Sequence, residues 1–111
     1  MAIYVSNIVI EQGFDFDTSF QLEDTRTNSF LDLTDVSVEA QLRKHYGAVD
    51  YVSFLSIVVT PELGVISISL TASQTINLKP GRYVFDVKLI NSGKEFKAVE
   101  GSALVRAGVT R

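Results

Sequence analysis

Apolar and polar residues alternate with a period of two along several short segments of this chain, and this pattern limits its possible folds more than any other feature. A period of two places successive side chains on opposite faces, as in a β-strand with one wet face. The clearest example spans residues 14–22. There we expect one face to be buried, with the side chains of Phe14, Phe16, Phe20 and Leu22. The pattern therefore predicts antiparallel sheet structure.

The segment from Leu78 to Val87 is predicted to be a turn that opens directly into a buried strand. Pro80 fixes φ, and Gly81 can adopt the positive φ that a tight turn often needs. In two-sheet proteins a tyrosine just inside such a strand often hydrogen-bonds back to the preceding corner. We predict this role for Tyr83, with Leu78 packed beside it.

Further strands are predicted at residues 3–10, 36–43, 52–60, 65–70, 83–90 and 95–106. Residues 38–46 are also rich in helix-favouring types, but the unbroken alternation favours a strand. In residues 52–60, Leu55 and Ile57 fall out of phase with Phe54, which indicates a bulge or burial on both faces.

The connections between these strands carry ordinary turn signals. Turns of hairpin length are predicted at 61–64 and 91–94, and a single helical turn is predicted between Thr71 and Leu78, anchored by Ile76 and Leu78. Gly101 lies within the last strand, where a bulge or a close backbone approach is plausible.

Short strands, regular turns and the lack of a long helix in 111 residues predict an all-β fold. We expect one domain covering residues 1–111, built as an antiparallel two-sheet β-sandwich of about seven strands with an Ig-like arrangement. A small barrel is the alternative. Sheet edges can recruit other chains, and we expect the first strand (Ile3–Ile10) and the last strand (Glu95–Arg106) to be those edges.

Composition excludes several classes of partner. Hydrophobic residues make up 46% of the chain, enough for one core, and the net charge of −3 argues against nucleic acid. The absence of cysteine removes disulfides and thiolate metal sites and fits a reducing cytoplasm. No apolar run is long enough to span a membrane, and the amino terminus lacks the basic region of a signal peptide.

The residues that could carry chemistry have simpler structural explanations. His45 lies at the end of a strand without an evident nucleophilic or orienting partner. Asp15 and Asp17 share a strand face, but no loop with calcium-binding spacing surrounds them. We expect Asp86 to be buried, either paired with Arg82 or Lys88 or capping a turn. The sequence predicts no enzyme, no metal and no cofactor.

Interaction surfaces are the remaining candidates. Tyr46 and Tyr51 lie in one loop, and tyrosine is enriched at interfaces. The first strand contributes Ile3 and Val5, and the polar loop 23–28 contributes Arg26. Exposed tyrosines also leave open a carbohydrate-binding module, although the chain has no tryptophan.

An ordered set of segments resembles a family. The set comprises residues 8–22, 31–35, 41–44, 63–71, the Leu-x-Pro-Gly-x-Tyr-x-x-Asp segment at 78–86, and 99–105. It resembles small β-sandwich structural proteins of tailed bacteriophages, especially T4-like cyanophages, and the N-terminal domain of phage baseplate upper proteins. The resemblance covers nearly the whole chain.

The resemblance implies a non-enzymatic virion component, assembled in the host cytoplasm, that binds other virion proteins as symmetric copies. Such a domain is usually followed by a receptor-binding or fibre module. Because this sequence ends at Arg111, we expect a small tail or baseplate adaptor and not a receptor-binding protein. A capsid decoration subunit is the alternative within the same family reading.

Overall fold

The computed structural model describes residues 4–24 and 29–109. Most of these residues lie in strands, as the alternation predicts. Ile3 and Arg26 lie outside the described residues. The strands are β1 (Tyr4–Val5), β2 (Ile8–Glu11), β3 (Phe16–Gln21), β4 (Glu23–Asp24), β5 (Ser29–Phe30), β6 (Ser37–Arg43), β7 (Val52–Ser53), β8 (Leu55–Thr60), β9 (Val65–Leu70), β10 (Gly81–Asn91) and β11 (Lys94–Arg106).

Two sheets and a small hairpin contain these strands. The larger sheet has the order β1-β11-β10-β6-β7, and β2 also pairs with β11. The smaller sheet has the order β3-β9-β8, and β4 pairs with β5. Pairing is antiparallel except at one edge, where β1 and β2 run parallel to β11. The prediction of antiparallel pairing is therefore wrong for the first strand alone.

Side chains from both sheets form one hydrophobic cluster. Phe54 is 6% exposed, and its ring lies 6.2 Å from that of Phe16 on β3 and 6.4 Å from that of Phe85 on β10. These tilted and edge-on contacts are the geometries that aromatic pairs prefer. One aromatic ring thus contacts both sheets.

The chain passes from the larger sheet to the smaller one at Phe54. β7 pairs with β6, whereas β8 pairs with β9, and the Phe54 amide donates to the Ala40 carbonyl at 3.0 Å. The strand predicted at 52–60 is therefore two strands. Leu55 and Ile57 are out of phase with Phe54 because they point away from the core, and the bulge lies further on, between Val58 and Thr60.

The first strand is interrupted where it crosses Gly101. The Ser6 amide donates to the Glu100 carbonyl at 2.9 Å, and the Asn7 side-chain oxygen accepts from the Ser102 hydroxyl at 2.9 Å. A Cβ at Gly101 would lie 1.6 Å from the Ser6 carbonyl oxygen. The close backbone approach predicted at Gly101 is confirmed, and a register shift between β10 and β11 lies nearby, opposite Val87 and Lys88.

Two further predictions about the strands need correction. The last strand is not an edge, because β11 lies between β10 and the first strand segments. Phe14 is not buried with Phe16 and Phe20, because it precedes β3 and its side chain is exposed. By contrast, the alternation in β6 and β9 places Val38, Ala40, Leu42, Ile66, Ile68 and Leu70 in the core, as predicted.

The predicted helical turn is present as α1 (Ala72–Thr75), capped by Thr71. Its anchor is Thr75, which is fully buried, donates to the Phe14 carbonyl at 2.8 Å and accepts from the Gly13 amide at 3.0 Å. Leu78 is buried as predicted, whereas Ile76 is exposed. A polar side chain therefore fixes this connection to the turn before β3.

Gly101→Ala tests the close approach between the first and last strands. The added methyl group would collide with backbone and not with a movable side chain, so we expect a loss of about 3 kcal/mol in the free energy of unfolding. Gly47→Ala is the control, since the nearest atom to a Cβ there lies 3.7 Å away. Chemical denaturation of both variants measures the difference, and equal stabilities would contradict the close approach.

Candidate protein-docking surface

The strand β8 forms one edge of the smaller sheet, and its outer face is apolar. Leu55, Ile57 and Val59 alternate along it and are 66%, 51% and 52% exposed. The inward positions, Ser56, Val58 and Thr60, are partly buried. No charged residue occurs between Asp50 and Glu62. We call Leu55–Thr60, with its free backbone edge, the β8 edge.

The local sequence explains why this segment is a strand despite its exposed apolar face. Ile57, Val58, Val59 and Thr60 are all β-branched, a type that favours extended backbone. β9 supplies the hydrogen-bonding partner along one side, with Leu55 opposite Ser69 and Val58 opposite Ile66. Within residues 4–24 and 29–109, the other side of β8 pairs with no strand.

The other sheet edges carry features that discourage pairing. β3 presents Asp17, Ser19 and Gln21 to solvent, so its outer face is polar and begins with a carboxylate. The first strand is interrupted at Ser6 and Asn7, and β7 has two residues. Natural proteins use charges, interruptions and short strands to protect edges. Among the described strands, β8 is the edge that combines continuous backbone with exposed apolar side chains.

Exposed apolar side chains are also frequent in the loop before β7. Half of the exposed large hydrophobic side chains in the described part of the chain lie between Tyr46 and Leu63. Tyr46 is 69% exposed, as an interface role requires, whereas the Tyr51 ring is covered on one face by the Arg43 guanidinium, 4.8 Å from the ring centroid. Arg43 also donates to the Ala48 carbonyl, which holds this loop against β6.

The first strand contributes one further candidate. Val5 on β1 is 76% exposed, so its predicted availability for an interface is consistent with its position on the edge of the larger sheet. The exposed side chains on this edge are separated by the break at Ser6 and Asn7. This edge therefore offers a smaller continuous apolar surface than the β8 edge.

The outer face of the larger sheet carries a groove of about 330 Å³, whose lining includes Tyr46, Phe96 and several charged side chains. Lys88 on β10 lies 3.5 Å from Glu39 and 3.2 Å from Glu95. Lys97 on β11 lies 3.8 Å from Asp86 and 3.6 Å from Glu100. Each lysine therefore bridges two carboxylates from neighbouring positions.

Asp86 is accordingly not the buried residue that the sequence predicts. Its side chain lies on the outer face and pairs with Lys97, because its position alternates with Phe85 and Val87, which face the core. Glu95 accepts a hydrogen bond from Lys88 and, with Glu39, holds the pKa of this lysine above its ordinary value. A lysine held in its protonated form is an ion-pair partner and a poor proton acceptor.

The remaining titratable candidates are not gathered in this groove. Asp15 accepts a hydrogen bond from the Ala72 amide at 2.7 Å and so extends the cap of α1. His45 is exposed in the loop after β6. Among residues 4–24 and 29–109, no three His, Cys, Asp or Glu side chains are grouped to hold a metal ion. The helices of that same part of the chain are too short to cross a membrane.

The structural corner before β10 has the predicted hydrogen bond. The Tyr83 hydroxyl donates to the Lys79 carbonyl at 2.8 Å, and the Lys44 ammonium lies 4.6 Å from the Tyr83 ring centroid. Leu78 is buried, Pro80 is exposed in the turn, and Gly81 has a φ of 147°. The corner fixes the start of β10, the strand between β6 and β11.

The sequence carries a signal for the β8 edge. Leu55, Ile57 and Val59 alternate with other residues, of which Ser56 and Thr60 are less hydrophobic. The whole stretch lacks charge. An uncharged alternating strand of this kind normally indicates a core face. The structure shows instead that this face is turned to solvent.

No protein-family model and no curated protein sequence matches the chain. Among solved structures, Listeria monocytogenes InlP is similar with a TM-score of 0.50 and 15% identity over 91% of this chain and 26% of InlP. A family 123 glycoside hydrolase from Clostridium perfringens has a TM-score of 0.46 and 13% identity over 100% of this chain and 24% of the hydrolase. The chain thus spans about a quarter of each, and at such low identity the likeness to InlP concerns the fold alone.

Tyr83→Phe tests the structural corner. Losing the hydroxyl removes the hydrogen bond to Lys79 and leaves the ring in place, so we expect the free energy of unfolding to fall by about 1 kcal/mol. Tyr46→Phe is the control, because Tyr46 is largely exposed, and should leave stability unchanged. Chemical denaturation of the two variants measures their free energies of unfolding. A Tyr83→Phe protein as stable as the parent would contradict a stabilising role for the hydrogen bond to Lys79.

Proposed function

We propose that this chain is a non-enzymatic structural protein of a tailed-bacteriophage particle, a tail or baseplate adaptor that binds other virion proteins. The observation that carries a binding role is the β8 edge, an uncharged strand with three exposed apolar side chains and an unpaired backbone edge among the described residues. The particle itself is suggested by the sequence resemblance. The protein acts by docking, and no reaction is assigned to it.

The proposal includes an Ig-like sandwich as the fold. Three features support it: both sheets contribute to one hydrophobic cluster, the first strand runs parallel to the last, and Tyr83 hydrogen-bonds to the corner four residues upstream. A tyrosine in this place, near the start of the second-last strand, is a hallmark of such sandwiches. Domains of this kind present their sheet edges and end loops to partners.

The physical basis of docking is edge pairing combined with apolar burial. A partner strand would satisfy the free backbone groups of β8, and its side chains would cover Leu55, Ile57 and Val59. A stable interface typically buries about 1,600 Å² in total.

The outer face of the larger sheet favours a second candidate, a carbohydrate-binding module. The groove places Tyr46 and Phe96 beside charged groups, and aromatic rings with neighbouring polar groups suit sugar rings. Binding to a panel of bacterial surface glycans that Tyr46→Ala abolishes would favour this candidate over docking.

A capsid decoration subunit is distinguished by its copy number, which is in the hundreds for a decoration and low for a tail part.

Mass spectrometry of fractionated particles tests the proposed function. We expect the protein to co-purify with virions and with isolated tails or baseplates. Ile57→Lys places a charge within the β8 edge and should prevent incorporation, whereas Ile76→Lys, at an exposed isoleucine outside β8, should be incorporated normally. Both variants should show the parent's thermal stability. Absence of the parent protein from purified particles would defeat the proposal.

A further inference from the structure

We propose that the β8 edge pairs with the β8 edge of a second copy of this chain, antiparallel and around a twofold axis. This inference rests on the proposed function, since it names the first partner of the same surface. The two smaller sheets would then join into one sheet of order β3-β9-β8-β8-β9-β3. The unpaired edges of the two β8 strands disappear in this arrangement, and the exposed apolar side chains of the two copies meet across the axis.

The charge pattern supports self-pairing. An antiparallel strand that pairs with its own copy meets its own side chains, so any charge near the centre faces an identical charge. The β8 edge avoids this repulsion, because residues 51–61 contain no charged side chain. The opposite edge of the same sheet differs, since β3 carries Asp17 on its exposed face. Pairing of β3 with itself around an axis near Asp17 would bring the two carboxylates together.

The alternation along β8 is also self-complementary. Residues directly opposite each other in an antiparallel pair point to the same face of the sheet, so the axis must pass at a residue and not between two. With the axis at Ser56, Leu55 lies opposite Ile57 of the partner. With the axis at Ile57, Leu55 lies opposite Val59 of the partner. Both registers place apolar against apolar side chains on the outer face.

The bulge limits the length of the paired segment. β8 matches β9 residue by residue from Leu55 to Val58, and Val59 has no opposite residue on β9. Pairing by so short a regular strand should give a weak dimer that depends on concentration. In a particle, symmetry and the additional contacts of each copy raise the effective concentration and strengthen the pair.

Sedimentation velocity over a range of concentrations tests self-pairing with the full chain. The parent protein should shift from monomer to dimer as its concentration rises. Ile57→Lys would bring two like charges close together across the axis and should weaken dimerisation at least tenfold. Ile76→Lys should dimerise like the parent. Thermal melts confirm that both variants are folded, and a parent that stays monomeric at every concentration would overturn self-pairing.

Cysteine variants locate the axis, because the chain has no cysteine of its own. Under oxidation, Ser56→Cys should form a disulfide-linked dimer if the axis lies at Ser56, and Ile57→Cys should do so if it lies at Ile57. Ile76→Cys is the control and should remain unlinked. Cross-linking of either β8 variant supports the proposal, whereas equal behaviour of all three variants contradicts it.

The outcomes separate this inference from the proposed function. A monomeric parent protein whose Ile57→Lys variant is excluded from particles overturns self-pairing and leaves a docking role with another virion protein. A dimer that Ile57→Lys dissociates, in a protein absent from virions, supports self-pairing and contradicts the role in the particle.

Discussion

Burial of Phe54 between the two sheets is the contact on which the rest of the arrangement depends. Its ring meets Phe16 of the smaller sheet and Phe85 of the larger one, so the chain must leave the larger sheet at this residue. Alternation then turns Leu55 and Ile57 away from the core. The exposed apolar face of β8 is thus a direct geometric consequence of placing Phe54 inside.

The β8 edge would be a liability for a protein that acts alone. Other edges are protected by Asp17 on β3, by the break at Ser6 and Asn7, or by the shortness of β7. An unprotected uncharged edge invites pairing with another chain, and in an isolated protein this pairing leads to aggregation. A defined partner removes this risk of aggregation, because it pairs with the backbone hydrogen-bonding groups of the strand and covers the apolar side chains.

Strands, turns and close backbone approaches could be predicted from the sequence, whereas the order of the strands in the sheets could not. The alternation of β6 and β9, the Tyr83 corner and the close approach at Gly101 follow from side-chain period, turn chemistry and the lack of a Cβ. The position of β11 inside the sheet depends on pairing with the first strand, about 95 residues earlier in the chain, and no local signal reports it. Which face of β8 is exposed likewise depends on the packing of Phe54 between the two sheets, and no local pattern reports that packing.

Amide hydrogen exchange in β8 is the most direct measure of the central claim that this edge is covered in the assembled state. Mass spectrometry would compare the dilute isolated protein with the protein in intact particles, using peptides that span residues 55–60. The account predicts rapid exchange on the unpaired side of β8 in the dilute protein and marked protection after assembly, with β3 changing little. Equal exchange of β8 in both states would contradict the account.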